Sequence, residues 1–229
     1  VSSWLKCHFP AAFGCALLNS QPMGFYAPAQ IVRDAVEHGV EVLPADVNLS
    51  AWDCTLETVG EAQEAQEGRL DRHIALRLGL RQVDGLPEHV AARLVAEREA
   101  NGLYADVAAL QERARIGPAH IERLASADAF GSLGISRRVA LWEARSLVGG
   151  VDLPLFRAAE AREEGREREP TQLPQMPLSE EVVADYQTTR LSLKAHPMAF
   201  LRADLAERGF VRACDLRERK FRSMVNVAG

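Results

Sequence analysis

The stretch Leu78-Gly-Leu-Arg-Gln-Val-Asp-Gly-Leu-Pro-Glu-His-Val-Ala-Ala-Arg-Leu-Val-Ala-Glu-Arg98 decides the fold. An apolar lead-in is followed by a tight turn at 83–86, where Gly85 permits the sharp bend of the backbone. Pro87 suits the first position of a helix, and apolar residues then recur at helical spacing. This is the helix-hairpin-helix pattern. The amides of such a turn and the helix N-terminus behind it suit a phosphate, so the pattern predicts a grip on the DNA backbone that reads no sequence.

A second turn, Arg115-Ile-Gly-Pro118, leads into a predicted helix over 120–127. Another helix is predicted from Arg137 to Val148, with Ser136 as its N-cap. Two turn-helix units in tandem indicate DNA binding more specifically than one unit does. The alternative is that each glycine turn only lets two helices pack at a tight corner, as is common in helical domains. We predict contact with duplex or primer–template DNA at the turns and at the arginines beside them. The predicted DNA-binding residues are Arg81, Gln82, Val83, Gly85, Leu86, Ile116, Gly117, Arg137 and Arg138.

Composition sets the class of protein. The chain has 229 residues, of which 47% are hydrophobic and 26% charged, as is ordinary for a soluble protein. No apolar run approaches the ~20 residues of a membrane span, and no signal peptide is recognisable. Four cysteines without CxxC spacing indicate reduced thiols and a cytoplasmic location. The net charge of −5 argues weakly against a nucleic-acid binder, but the local charge around a site matters more than the average.

We predict a mainly α-helical fold in four parts. Residues 1–59 form a small helical unit with helices near 10–18 and 28–38 and a short strand at 40–43. Residues 60–148 hold the tandem hairpins, and 74–80 is either a strand or a short helix. Residues 149–178 form a linker, and 179–229 form further helices. Because the sequence starts at Val1 without methionine and ends in a strand-like segment, we expect a piece of a longer protein.

An apolar peptide, Leu153-Pro-Leu-Phe156, stands at the head of the polar linker. Such a peptide has no obvious local core to enter. It is either a docking peptide, with Leu155 and Phe156 as anchors for pockets on a partner, or a segment that tucks onto its own domain.

Five stretches, taken together, are similar to one known family. They are Trp4–Phe13 followed by Leu17–Ser20, Gln21–Pro28, His38–Asn48, Gly79–Gly85 and Ser192–Arg202. They resemble, in order and along nearly the whole chain, the bacterial C-family DNA polymerases. The second stretch favours the error-prone branch, a paralogue of the polymerase III alpha subunit.

The resemblance implies template-directed addition of deoxynucleotides by the whole protein, with Mg²⁺ held by palm aspartates that this chain does not contain. It implies that 1–59 is the end of the fingers region and that 60–148 grips duplex DNA behind the active site. Residues 179–229 would then lead into an oligonucleotide-binding barrel, truncated here. We expect no cofactor in this segment and no catalytic residue.

The family's sliding-clamp peptide runs Gln, Leu, a small residue, Leu, Phe. The stretch Asp152-Leu153-Pro154-Leu155-Phe156 matches it at Leu153, Leu155 and Phe156 and departs at Asp152. Since ionised aspartate only accepts hydrogen bonds, whereas glutamine also donates, clamp binding is expected to be weak or to depend on accessory mutagenesis proteins.

Weaker candidates lie in the first unit. Lys6 and His8 are candidate contacts to a nucleotide or DNA phosphate in the fingers, the alternative being a surface lysine and a packed histidine. A metal site at Cys7, His8 and Cys15 is disfavoured because it lacks a fourth ligand and standard spacing. The competing function is a stand-alone, non-catalytic helix-hairpin-helix DNA-binding or scaffold module. An independent hydrolase finds little support, since the sequence shows no nucleophile motif or phosphate-binding loop.

Overall fold

The computed structural model describes residues 1–24, 26–59, 73–147, 173–220 and 223–228. In these ranges the chain is mainly helical, which confirms the predicted fold class. The helices are α1 Ser2–His8, α2 Pro10–Asn19, α3 Pro28–Glu37, α4 Glu88–Asn101, α5 Val107–Ala114, α6 Pro118–Ser126, α7 Arg137–Ser146, α8 Leu178–Thr188 and α9 Met198–Glu207.

The first unit packs α1–α3 against a small sheet. The strands are β1 Val42–Leu43, β2 Thr55–Thr58 and β3 Ile74–Arg77, in the order β1-β3-β2. β3 runs parallel to β1 and antiparallel to β2. The segment 74–80, left open between strand and helix, is thus a strand that ends in a 3₁₀ turn at Leu80–Gln82. Prolines begin α2 and α3, because the missing proline amide costs nothing at a helix start.

The second unit packs α4–α7 around one apolar core. Two of its helices, α5 and α7, start at side-chain caps: Asp106 accepts from the Ala109 amide, and Ser136, as predicted, accepts from the Val139 amide. The Asp106 cap places the start of α5 at Val107. Tyr104 itself is buried, and its hydroxyl donates to the Leu94 carbonyl at 2.8 Å.

The loop 45–52 joins the two units. Val47 is fully buried in the core of the second unit, and its amide donates to the Ala129 carbonyl at 2.9 Å. The buried Asn48 side chain donates to the Tyr104 carbonyl at 2.9 Å and accepts from the Tyr104 amide at 2.8 Å. Buried polar groups need such partners, so the loop is fixed in place, and the first unit contributes directly to the hairpin core.

The first part of the C-terminal segment packs against the two units, and the later part does not. Val182 of α8 and Leu191 are buried, whereas α9 has no buried residue. β4 Phe210–Val211 pairs in parallel with β5 Asn226–Val227. The oligonucleotide-binding barrel expected beyond these strands stays a prediction. Within the described ranges, no helix combines the length and apolar character needed to cross a bilayer.

Candidate nucleic-acid interface

The second hairpin is open to solvent. α5 ends at Ala114, Arg115 takes a left-handed conformation with φ of 50°, and Gly117 caps α6. Ile116 is buried and anchors the turn on the core. A Cβ placed on Gly117 would meet no atom within 4 Å. The amides of Ile116 and Gly117 donate to no acceptor in the described part of the chain, and the first turn of α6 contains no acidic residue. This turn therefore offers unpaired N–H groups and an uncompensated helix dipole to an anion.

The first hairpin, by contrast, is filled by the chain itself. Val83 and Leu86 are buried in the core, and Gly85 has a φ of 71°. The Asp84 amide donates to the Thr188 carbonyl at 2.8 Å, and the Gly85 carbonyl accepts from the Arg123 guanidinium. The turn has the predicted shape, but the Asp84 amide and the Gly85 carbonyl already have protein partners.

Four basic side chains gather beside the hairpins, on the faces of α4 and α6. Burial lowers the pKa of His120, and the positive charges of Arg123, His89 and Arg93 lower it further, so these groups are close enough to repel one another. The Nδ1 atom of His120 is buried with no hydrogen-bond partner. His89, Arg93 and Arg123 are exposed. In the described ranges none of the four pairs with a carboxylate. We call these four residues the basic face, and its permanent positive charge comes from the guanidinium groups of Arg93 and Arg123.

The basic face was missed at the level of sequence. Of its four residues, only Arg123 contacts a residue that we predicted to bind DNA, namely Gly85. His89 and Arg93 lie one helical turn apart on a predicted helix. Residues at i and i+4 share a helix face, and that spacing was the available signal.

Arg81 and Gln82 lie at the junction between the two units. The Arg81 guanidinium donates to the carbonyls of Asn19 and Gln21, each at 2.9 Å, and to the Asp53 carboxylate at 2.6 Å. The Gln82 side chain lies 4.0 Å from the Cys54 sulfur. Arg81 thus bridges the first unit and the hairpin, and its donors are committed to protein acceptors. Contact of these two residues with DNA stays a prediction.

Arg137 lies inside the protein. Its side chain is 0% exposed and faces the carboxylates of Asp128, Glu181 and Asp185. Lys194 donates to two of the same carboxylates, those of Asp128 and Glu181. We call these five residues the ion cluster. A buried guanidinium cannot reach a phosphate on the surface, so the structure gives Arg137 a role in joining α7 to α8.

Arg138 is partly exposed. It donates to the Pro174 carbonyl at 2.9 Å and to the Glu180 carboxylate at 3.2 Å. These contacts hold the segment before α8 against α7, and the predicted DNA contact of Arg138 remains untested.

The first unit has a groove of about 710 Å³ between α1, α2 and α3. Lys6 borders it and is paired with Asp34 at 2.8 Å. The His8 ring lies against Trp4, with 4.6 Å between ring centroids. Both predicted contacts therefore have protein neighbours, and neither is tested as a nucleotide contact.

The cysteines divide into two exposed and two buried thiols. Cys15 and Cys54 are buried near each other, and the Cys15 sulfur donates to the Cys54 carbonyl at 3.2 Å. Burial raises the pKa of the Cys15 thiol to about 11, helped by the nearby Cys54. In the described ranges no three His, Cys, Asp or Glu side chains are arranged to hold a metal ion. The clamp-like peptide, residues 152–156, lies outside the described residues.

Comparison with known proteins agrees with this geometry. A family model described as a helix-hairpin-helix motif matches residues 39–140. An error-prone DNA polymerase of Brucella abortus is 53% identical over 91% of this chain, which is 18% of the relative's length. The corresponding polymerase of Ruegeria pomeroyi is 54% identical over 88% of the chain, or 17% of that protein.

The polymerase of Sinorhizobium medicae matches the whole chain at 46% identity and 21% of its own length. The chain thus spans about a fifth of the curated relatives that it matches. The resemblance found in the sequence is therefore confirmed: over most of its length this chain is similar to one segment of the error-prone DNA polymerases, the segment that contains the helix-hairpin-helix region.

Proposed function

We propose that this segment holds duplex DNA by its backbone for an error-prone, DNA-directed DNA polymerase of which it is a part. The observation that carries the proposal is the basic face, unpaired with any described carboxylate, beside the open second hairpin. Free amides hydrogen-bond a phosphate oxygen, and the arginines neutralise its charge. Contacts of this kind fix the position of a duplex without reading its bases.

The whole protein's activity is part of the same proposal. The relatives are named error-prone DNA polymerases, which supports nucleotidyl transfer by the parent protein, with damage-induced translesion synthesis in the cytoplasm as its setting. Mg²⁺ would serve that chemistry in the parent protein, held by aspartates of the palm. The stand-alone binding module remains the alternative, and relatives about five times as long disfavour it.

The proposal extends to the sliding clamp. Leu153, Leu155 and Phe156 match the family's clamp peptide, and Asp152 departs from it. Alanine at Leu155 and Phe156 should remove clamp binding while the affinity for duplex DNA stays the same. Unchanged clamp binding by that variant would show that the peptide is not the anchor.

Fluorescence anisotropy tests the DNA grip. The chain is titrated into a labelled primer–template duplex between about 50 and 200 mM salt. The test variant replaces Arg93 and Arg123 with alanine. We expect binding that does not depend on sequence, and a salt slope smaller by about one for each phosphate contact removed.

The matched control replaces Arg33 and Arg208, two exposed arginines outside the hairpin unit, and carries the same change in net charge. It should keep the original salt slope. Absence of binding by the unchanged chain at low salt would refute the proposal for this segment, and equal losses in both double variants would refute the basic face as the contact.

A further inference from the structure

The end of α8 and the residues after it cross the first hairpin. We call residues 185–194 the strap. The Thr188 carbonyl accepts the Asp84 amide at 2.8 Å. The Arg190 guanidinium lies 3.4 Å from each oxygen of the Asp84 carboxylate. The tip of the first hairpin is thereby bound through its backbone and through its side chain.

The strap is anchored on both sides of the hairpin. Leu191 is 3% exposed and belongs to the apolar core of the first unit. Ser192 donates to the Asp185 carboxylate at 2.6 Å, and Lys194 donates to Asp128 at 2.7 Å. Because Leu191 packs in the core of the first unit and Asp128 belongs to the hairpin unit, the strap is fastened to both units at once.

The two hairpins differ in charge, and they also differ because the strap binds the first one while the second is open to solvent. The first carries Asp84 in its turn and Glu88 at the start of α4, and carboxylates at these positions repel a phosphate. The second carries Arg115, and the first turn of α6 has no acidic residue. A carbonyl oxygen and a phosphate oxygen are both acceptors, so the Asp84 amide that donates to the Thr188 carbonyl is not free to donate to a phosphate.

We propose that the first hairpin is the docking site of the chain's own strap and is not a DNA site. Docking there fixes the segment that leads to α9 and β4 on the hairpin unit. The consequence for DNA rests on the proposed function: the backbone grip falls to the second hairpin and the basic face. The family motif is thus used twice, once for a protein carbonyl and once for a phosphate.

Amide hydrogen exchange measured by NMR on the full 229-residue chain separates the two roles. In the free chain the Asp84 amide should be protected, and the Ile116 and Gly117 amides should exchange rapidly. Saturation with an unlabelled DNA duplex should slow exchange of the Ile116 and Gly117 amides by about tenfold or more. The exchange rate of the Asp84 amide should stay the same. Protection that appears at the first hairpin only on DNA addition would overturn the proposal.

Charge reversal tests the strap directly. Arg190→Glu sets a carboxylate against Asp84 and should speed exchange of the Asp84 amide by about tenfold. Arg208→Glu, at an exposed residue just after α9, is the matched control and should not.

Both reversals should change duplex affinity equally, because both alter the net charge by the same amount. A selective loss of DNA binding in Arg190→Glu would overturn the assignment. If the unchanged chain fails to bind the duplex, the proposed function fails, while the Asp84 exchange data still decide whether the strap docks.

Discussion

Replacing Arg137 with methionine should destabilise the protein strongly. The guanidinium is 0% exposed, donates to the Glu181 carbonyl at 2.9 Å, and faces the carboxylates of Asp128, Glu181 and Asp185. Methionine fills most of the space and removes the charge. Three carboxylates would then share Lys194 as their remaining cation in the ion cluster.

The expected loss follows from the burial of the group. Removing one partner of a buried ion pair costs about 3–5 kcal/mol, because the remaining charges are left without compensation. A domain of this size has a total stability of about 5–15 kcal/mol, so the change removes a large share of it. The control is Arg138→Met, one residue further along α7. Arg138 is 35% exposed and pairs with Glu180, which is 54% exposed, and such pairs contribute about 0–1 kcal/mol.

Urea unfolding followed by circular dichroism measures the difference. With a denaturant slope of about 2 kcal/mol/M, the midpoint of Arg137→Met should fall by roughly 1.5–2.5 M, and that of Arg138→Met by less than about 0.5 M. Equal midpoints for the two variants would refute the role assigned to the ion cluster.

Two further predictions use contrasts already present in the chain. Gly85→Ala should lower the free energy of unfolding by about 1–2 kcal/mol, since Gly85 has a φ of 71° and a Cβ there would clash with Arg123. Gly117 has a φ of −69° and open space around it, so Gly117→Ala should change the free energy of unfolding by less than about 1 kcal/mol. Thermal melts of the two variants measure the difference. Ellman's reagent should titrate two thiols quickly and two only after unfolding, because the reagent needs an accessible thiolate; four fast thiols would contradict the buried positions. The fast pair is Cys7 and Cys214, and the slow pair is Cys15 and Cys54.

The sequence predicted the elements whose signals are local. Prolines at 10 and 28, the Ser136 cap and the glycine turn at 85 each act within a few residues, and each lies where it was expected. The alternation over 74–80 was ambiguous because it is short. Pairing with β1 and β2 resolves it, and those partners lie many residues away.

The side-chain roles depended on distant partners, which no local pattern shows. Arg81 reaches Asn19, 62 residues away, and Arg137 reaches Asp185, 48 residues away. Both arginines stand beside predicted hairpins, so their position suggested phosphate contact. Tertiary contacts hold Arg81 at the junction between the two units and bury Arg137 inside the protein. The arginines of the basic face escaped attention because only the folded chain shows that they lack acidic partners.

The ion pairs of the ion cluster also reconcile the net charge of −5 with the proposed grip on DNA. Screening limits the reach of each charge to about 8–10 Å, so a phosphate responds to the charges around the hairpins rather than to the total. Near the hairpin unit, the positive charges of Arg137 and Lys194 offset two of the three negative charges of Asp128, Glu181 and Asp185 inside the ion cluster. The cluster thereby reduces the negative charge that would oppose a phosphate, while the arginines of the basic face pair with no carboxylate in the described ranges. Breaking the cluster should consequently weaken DNA binding even where the hairpin unit stays folded, although no member of the cluster contacts the duplex.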